Sequence, residues 1–114
     1  MHPLGAVRVL LDNCLPVGLR HLIDGHEVET ASFRGWGDKG NGQLVAAAIE
    51  SGFDILLSID QGPMFEVAVR GRPISAVLFP GSQGSRLDDL RPLIPDALVA
   101  IANAKPGTIT RIGT

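Results

Sequence analysis

The segment Phe53-Asp54-Ile55-Leu56-Leu57-Ser58-Ile59-Asp60 places the tightest limit on the fold. Its middle residues are apolar at consecutive positions, so an extended chain there needs cover on both sides. It is far shorter than the ~20 residues of a membrane span. Gly52 closes it on one side and Gly62-Pro63 on the other. Such a run fits the middle of a parallel sheet with helices above and below. Phe53–Ser58 is therefore expected as a central strand. Val7-Arg8-Val9-Leu10-Leu11 reads as a second buried strand by its length and β-branched content. Each run is followed by an aspartate, Asp12 in one case and Asp60 in the other.

The intervening segments alternate in type. Pro16 suits a first helical turn. Leu15, Leu19, Leu22 and Ile23 then recur at helical spacing up to Gly25. His26–Thr30 reads as a short strand with Val28 inward, and Ala31–Gly40 as a glycine-rich loop. Asn41 is placed to cap a helix whose apolar stripe is Leu44, Val45, Ala48 and Ile49, ended by Gly52. A helix is expected from Gly62-Pro63 to about Arg70, and a fourth strand over Ile74–Phe79. Ser85-Arg86-Leu87-Asp88 matches a capping box. Pro92 and Pro95 should split the following helical stretch into a short piece and a longer one reaching Ala104. Thr108–Ile112 is expected as an edge strand. The order β-α-β-α-β-α-β-α-β implies one largely parallel sheet of four to five strands covered on both faces, in a single domain over residues 1–114.

Composition narrows the partners. With 114 residues and 45% hydrophobic content the chain can bury a core without staples. A net charge of −2 argues against a protein that coats nucleic acid electrostatically. Arg34, Lys39, Arg70, Arg72 and Arg86 form either a local basic patch or a scattered solvated surface. There is no tyrosine and one tryptophan, which disfavours a base-stacking platform. The start Met1-His2-Pro3-Leu4 lacks the pattern of a signal peptide, and no membrane span is expected. A lone cysteine, Cys14, points to a reducing, cytoplasmic location.

The chemistry concentrates on the two aspartates. In open α/β sheets ligands bind beyond the carboxyl ends of the strands. Asp12 and Asp60 both belong there. Two carboxylates brought together repel unless a proton or cation joins them. Each alone reads equally as a helix cap or a turn residue. Together they point to a hard cation, Mg²⁺ or Mn²⁺, able to activate water or neutralise phosphate charge. Asn13, Asn41 and Gln61 flank the same edge as hydrogen-bond partners for phosphate or metal-bound water. Asp38 is the nearest further acid, expected in solvent; Glu27, Glu29 and Glu50 are not expected to join. Cys14 at a helix start could carry a lowered pKa. His21 and His26 are expected to pack or face solvent, and His2 belongs to the terminal segment. Gly81–Ser85 reads as a loop more readily than as a phosphate cradle. Phe33 and Trp36 are expected in an exposed apolar loop that lids the cleft or makes a contact, including a homodimer contact. A phosphoacceptor role for Asp60 lacks a lysine at the end of a later core strand.

Four segments together resemble the small PIN-like proteins of bacterial toxin–antitoxin pairs. They are Val9-Leu10-Leu11-Asp12-Asn13-Cys14-Leu15-Pro16, Gly25-His26-Glu27-Val28, Gly35-Trp36-Gly37 with Asn41-Gly42, and Gly52–Asp60. The resemblance covers most of residues 7–80. It implies a three-layer α/β/α PIN-like fold and a Mg²⁺/Mn²⁺-dependent endoribonuclease, a hydrolase acting as a toxin and paired with an antitoxin protein. Asp12 and Asp60 match acids of the family. Asn13 stands where a glutamate often follows the first, Asn41 where another acid begins a helix, and Gln61-Gly62 replaces the rest of the third-strand motif. The second reading is a weakened or inactive PIN-like protein that acts as a protein-binding module.

Overall fold

In the computed structural model, which describes residues 6–113, five strands form one all-parallel sheet. They are β1 (Arg8–Leu11), β2 (Glu27–Thr30), β3 (Ile55–Ile59), β4 (Ser75–Phe79) and β5 (Ile109–Arg111), in the order β2-β1-β3-β4-β5. The helices are α1 (Asn41–Glu50), α2 (Met64–Val69), α3 (Leu87–Leu90) and α4 (Ile94–Asn103). β3 is the middle strand, as its apolar run predicts. Met1–Leu4, with His2, falls outside the described residues.

Successive strand residues point to opposite faces, and this alternation splits the core in two. Val9, Leu11, Ile55, Leu57, Val77 and Phe79 face one side, where Leu15, Leu19, Ile23 and the apolar stripe of α4 cover them. Leu10, Leu56, Ala76 and Leu78 face the other, under Leu44, Val45 and Ala48 of α1 and Phe65 and Val69 of α2. Helices therefore cover both faces of the sheet. The first three crossovers are alike in hand. The last, through α4, covers the opposite face while moving in the same direction across the sheet, so its hand is reversed.

Several boundaries differ from the sequence expectation. Residues 15–25 form no α-helix but a 3₁₀ segment, Val17–His21. Gly18 weakens helix there and lets Leu87 approach to 3.3 Å from where a Cβ would stand. Asn41 is the first residue of α1 rather than its cap; Gly40 precedes the helix, and its N–H donates to Gln43 Oε1 at 3.3 Å. The box before α3 is shifted by one residue: Arg86 N–H donates to Asp89 Oδ2 at 3.1 Å, so Asp89 and not Asp88 closes it. The prolines divide the last helical stretch as expected, into α3 with a 3₁₀ turn, then α4. Gly52, with φ at +83°, supplies the left-handed turn that ends α1 and leads into β3.

Candidate functional site

The strand order reverses direction between β1 and β3. Connections on the two sides of such a point leave the sheet in opposite directions, and in open α/β sheets the carboxyl ends there are the usual place for a ligand. Asp12 stands at this switch. Its N–H donates to Leu57 C=O at 3.0 Å, which carries the β1–β3 ladder one residue past the strand. Asp12 therefore lies opposite Ser58. Ser58 is fully buried, and its Oγ–H donates to Asp12 Oδ2 at 2.7 Å. The other carboxylate oxygen, Oδ1, accepts the Asn13 N–H at 2.7 Å. Among the described residues Asp12 has no ion-pair partner.

Asn13 and Cys14 extend this group. Asn13 Nδ2 donates to Trp36 C=O at 3.4 Å, tying the edge to the 31–40 loop. Cys14 Sγ sits 3.4 Å from Ser58 Oγ. Cys14 is exposed as a residue, but burial of its sulfur pushes the thiol up from its ordinary value, and the nearby Asp12 carboxylate adds to this. The lowered thiol pKa that a helix start would allow at Cys14 is corrected: the sulfur is desolvated, the Asp12 carboxylate adds to this, and the segment that follows is 3₁₀ rather than α-helical.

Asp60 belongs to a second group. It lies two residues beyond Ser58, hence roughly 7 Å further along the direction of β3 and on the same face. Its N–H donates to Phe79 C=O at 2.8 Å, towards β4. Asp60 Oδ1 accepts the Gly62 N–H at 3.1 Å, and Oδ2 accepts Arg111 Nε–H at 3.0 Å. Arg111 Nη2 reaches Glu66 Oε1 of α2 at 2.7 Å and Gly62 C=O at 3.3 Å. The hydrogen bond that Arg111 donates to Glu66, with the one it donates to Asp60 behind it, holds the Arg111 pKa above the usual guanidinium range.

The remaining predicted residues are more loosely placed. Asn41 is half-buried, with Nδ2 at 3.8 Å from Met64 Sδ. Gln61 is exposed on the turn between Asp60 and Gly62, and Asp38 is exposed in the loop. Glu29 is committed elsewhere: Arg34 Nη2 and Arg8 Nη2 lie 2.8 Å and 3.0 Å from its Oε2. The hydrogen bond from Arg34 holds its carboxyl below the usual range, aided by Arg8. His26 is half-buried, and its Nδ1 accepts the Val7 N–H at 3.1 Å. Trp36 is corrected from exposed to half-buried. It packs edge-on against Phe53 at 6.4 Å, whereas Phe33 is 79% exposed.

Sequence reasoning missed Ser58, Glu66 and Arg111. Two of them left a signal. Ser58 interrupts an apolar run two residues before Asp60, so period two already sends both to one face. Arg111 is a lone charge in the short run Ile109–Ile112.

No family model matches the sequence, and no curated protein or solved structure matches it either. The donor chemistry can be weighed on the residues alone. The Asp12 carboxylate offers the kind of oxygen donor that suits a hard cation. Each Asp12 oxygen keeps a free lone pair after its one hydrogen bond. A single Mg²⁺ or Mn²⁺ that retains most of its waters fits such a donor set. Among the described residues no group of three or more histidine, cysteine or acidic side chains comes together. Asp60 already faces a cation, Arg111.

Proposed function

We propose that the carboxyl edge of this sheet is the working site of a PIN-like endoribonuclease that uses Mg²⁺ or Mn²⁺, the toxin component of a toxin–antitoxin pair in the cytoplasm. The observation that supports this most is the Ser58–Asp12 hydrogen bond across the β1–β3 switch point, with Asp60 on the same face. Asp12 is the first ligand for the ion, and Ser58 fixes its rotamer. Bound there, the ion supplies charge neutralisation for a phosphodiester and acidifies a water. Asn13, Asn41 and Gln61 offer amide N–H donors to phosphate oxygens. Asp60, through Gly62 and Arg111, shapes the outer rim of the site.

The test is the pair Asp12→Asn and Asp60→Asn. Asp12→Asn keeps the shape and the Ser58 contact but removes the charge. It is expected to lower Mn²⁺-dependent RNA cleavage by at least about a hundredfold, the scale of losing one metal ligand's support, and to abolish growth inhibition on expression. Unchanged cleavage and toxicity in Asp12→Asn would remove the proposal, whatever Asp60→Asn does.

Two observations favour the second reading, a protein-binding module. Arg111 already neutralises Asp60, and Phe33 stands exposed on the loop that Asn13 ties to the edge. Under that reading a neighbouring gene's antitoxin binds tightly while Mn²⁺ leaves the melting temperature unmoved. Among the described residues no helix is long and apolar enough to cross a membrane.

A further inference from the structure

We propose that Arg111 is a built-in cation for Asp60: its guanidinium holds the place a second metal ion would take on this edge, and so confines divalent binding to Asp12. The inference rests on the proposed site only in taking this edge as the one that meets an ion.

The grip on Arg111 comes from three directions. Nε–H donates to Asp60 Oδ2 at 3.0 Å, from the end of β3. Nη2 lies 2.7 Å from Glu66 Oε1 on α2 and 3.3 Å from the Gly62 carbonyl in the intervening turn. Gly62 also donates its N–H to Asp60 Oδ1, so turn, acid and guanidinium form one closed set. All three side chains are only 29–40% exposed. Water screens charge less there than at an open surface. A planar guanidinium with several fixed donors is lost from such a set less readily than a lysine ammonium.

A carboxylate on this edge can be met by a metal ion or by a side-chain cation. At Asp60 the chain supplies the cation itself, from its last strand. A divalent ion approaching Asp60 meets a fixed positive charge within hydrogen-bond distance of the same oxygen, and like charges this close repel strongly. Among the described residues Asp12 has only neutral donors, Ser58 and the Asn13 amide. The two acids are thus made unequal: one stays open to an ion, the other is closed by an arginine.

The experiment measures Mn²⁺ binding directly, by the loss of the free-ion paramagnetic resonance signal, with folding checked by circular dichroism. Arg111→Gln is expected to bind Mn²⁺ about tenfold tighter than the native chain, or to gain a second equivalent. The gain should vanish in the Arg111→Gln/Asp60→Asn double variant and be absent in Arg111→Lys. No gain in folded Arg111→Gln, or a gain that survives Asp60→Asn, overturns the proposal. Asp60→Asn in the otherwise native chain gives a second test that leaves β5 untouched. It should change Mn²⁺ affinity by less than about threefold, whereas a shared ligand would lose about tenfold or more. These readouts stand apart from nuclease activity. A native chain that cuts no RNA leaves them intact, and a native chain that cuts RNA with an ion bridging both acids contradicts this inference alone.

Discussion

Ser58 shows how one buried hydroxyl can organise an edge. It has no exposure, and its hydrogen donates to Asp12 while Cys14 sulfur sits against its oxygen. Ser58→Ala removes the donor without changing the backbone, so Asp12 loses a charge-assisted hydrogen bond of about 1.5–3 kcal/mol. The variant should unfold at lower urea concentration by about that free energy, and its cleavage rate should fall more than its stability accounts for. Urea melts with a cleavage assay check this. The aspartates were legible in the sequence because each ends an apolar run. Their unequal surroundings were not, since Arg111 lies 51 residues from Asp60 and only β4–β5 pairing brings it there. Asn41 shows the opposite error. Its type fits a cap, but Gly40 takes the extended position one residue earlier and leaves Asn41 inside the helix.

Among the elements, the loop between β2 and α1 is held by charge as well as by apolar contact. Arg8 lies over the Phe53 ring at 4.3 Å, and Arg34 lies 5.2 Å from the same ring and 5.5 Å from that of Trp36. Glu29 joins the two guanidinium groups. Its folded pKa is lowered, so its contribution is complete above the unfolded glutamate value of about 4.3. That contribution disappears as pH falls through the lower folded value. Glu29→Gln is therefore expected to be less stable than the native chain by about 1 kcal/mol at pH 7, with the difference shrinking in acid, once the pH has fallen through the lowered folded value. Melts at neutral pH and in acid read this out, and a difference that grows on acidification contradicts the assignment. The turn into β5 makes a steric prediction. Gly107 has φ at +81°, its N–H donates to Ile74 C=O at 2.8 Å, and a Cβ there would come within 3.2 Å of Gly71 N. Gly107→Ala should cost about 1–2 kcal/mol from backbone strain plus the close contact. Gly35→Ala, at φ +76° with open space around it, should cost less. Thermal melts of the pair separate the two effects. Most elements were legible because strand and helix periods differ. The 3₁₀ segment Val17–His21 was not, since Leu15, Leu19, Leu22 and Ile23 bury equally well on a tighter turn.

At the scale of the whole molecule, alternating short elements dictate a parallel sheet with two covered faces, and the sheet dictates where chemistry can sit. Strand order is the part that local pattern leaves open. β1 between β2 and β3 creates the switch point, and Asp12 occupies it. The hand of the last crossover was equally hidden, because it depends on which face α4 covers rather than on any property of α4 itself. Arg111 arrives at the site only because β5 pairs parallel to β4 on the far side of the sheet. The proposed divalent ion belongs at one place, Asp12 at the switch between β1 and β3. Anomalous diffraction from a crystal soaked in Mn²⁺ tests it most directly. The expected result is a peak at about 2.1 Å from an Asp12 carboxylate oxygen, the usual distance for a small hard cation, with none between Asp60 and Arg111. A peak confined to Asp60, or to the opposite edge of the sheet, would contradict it.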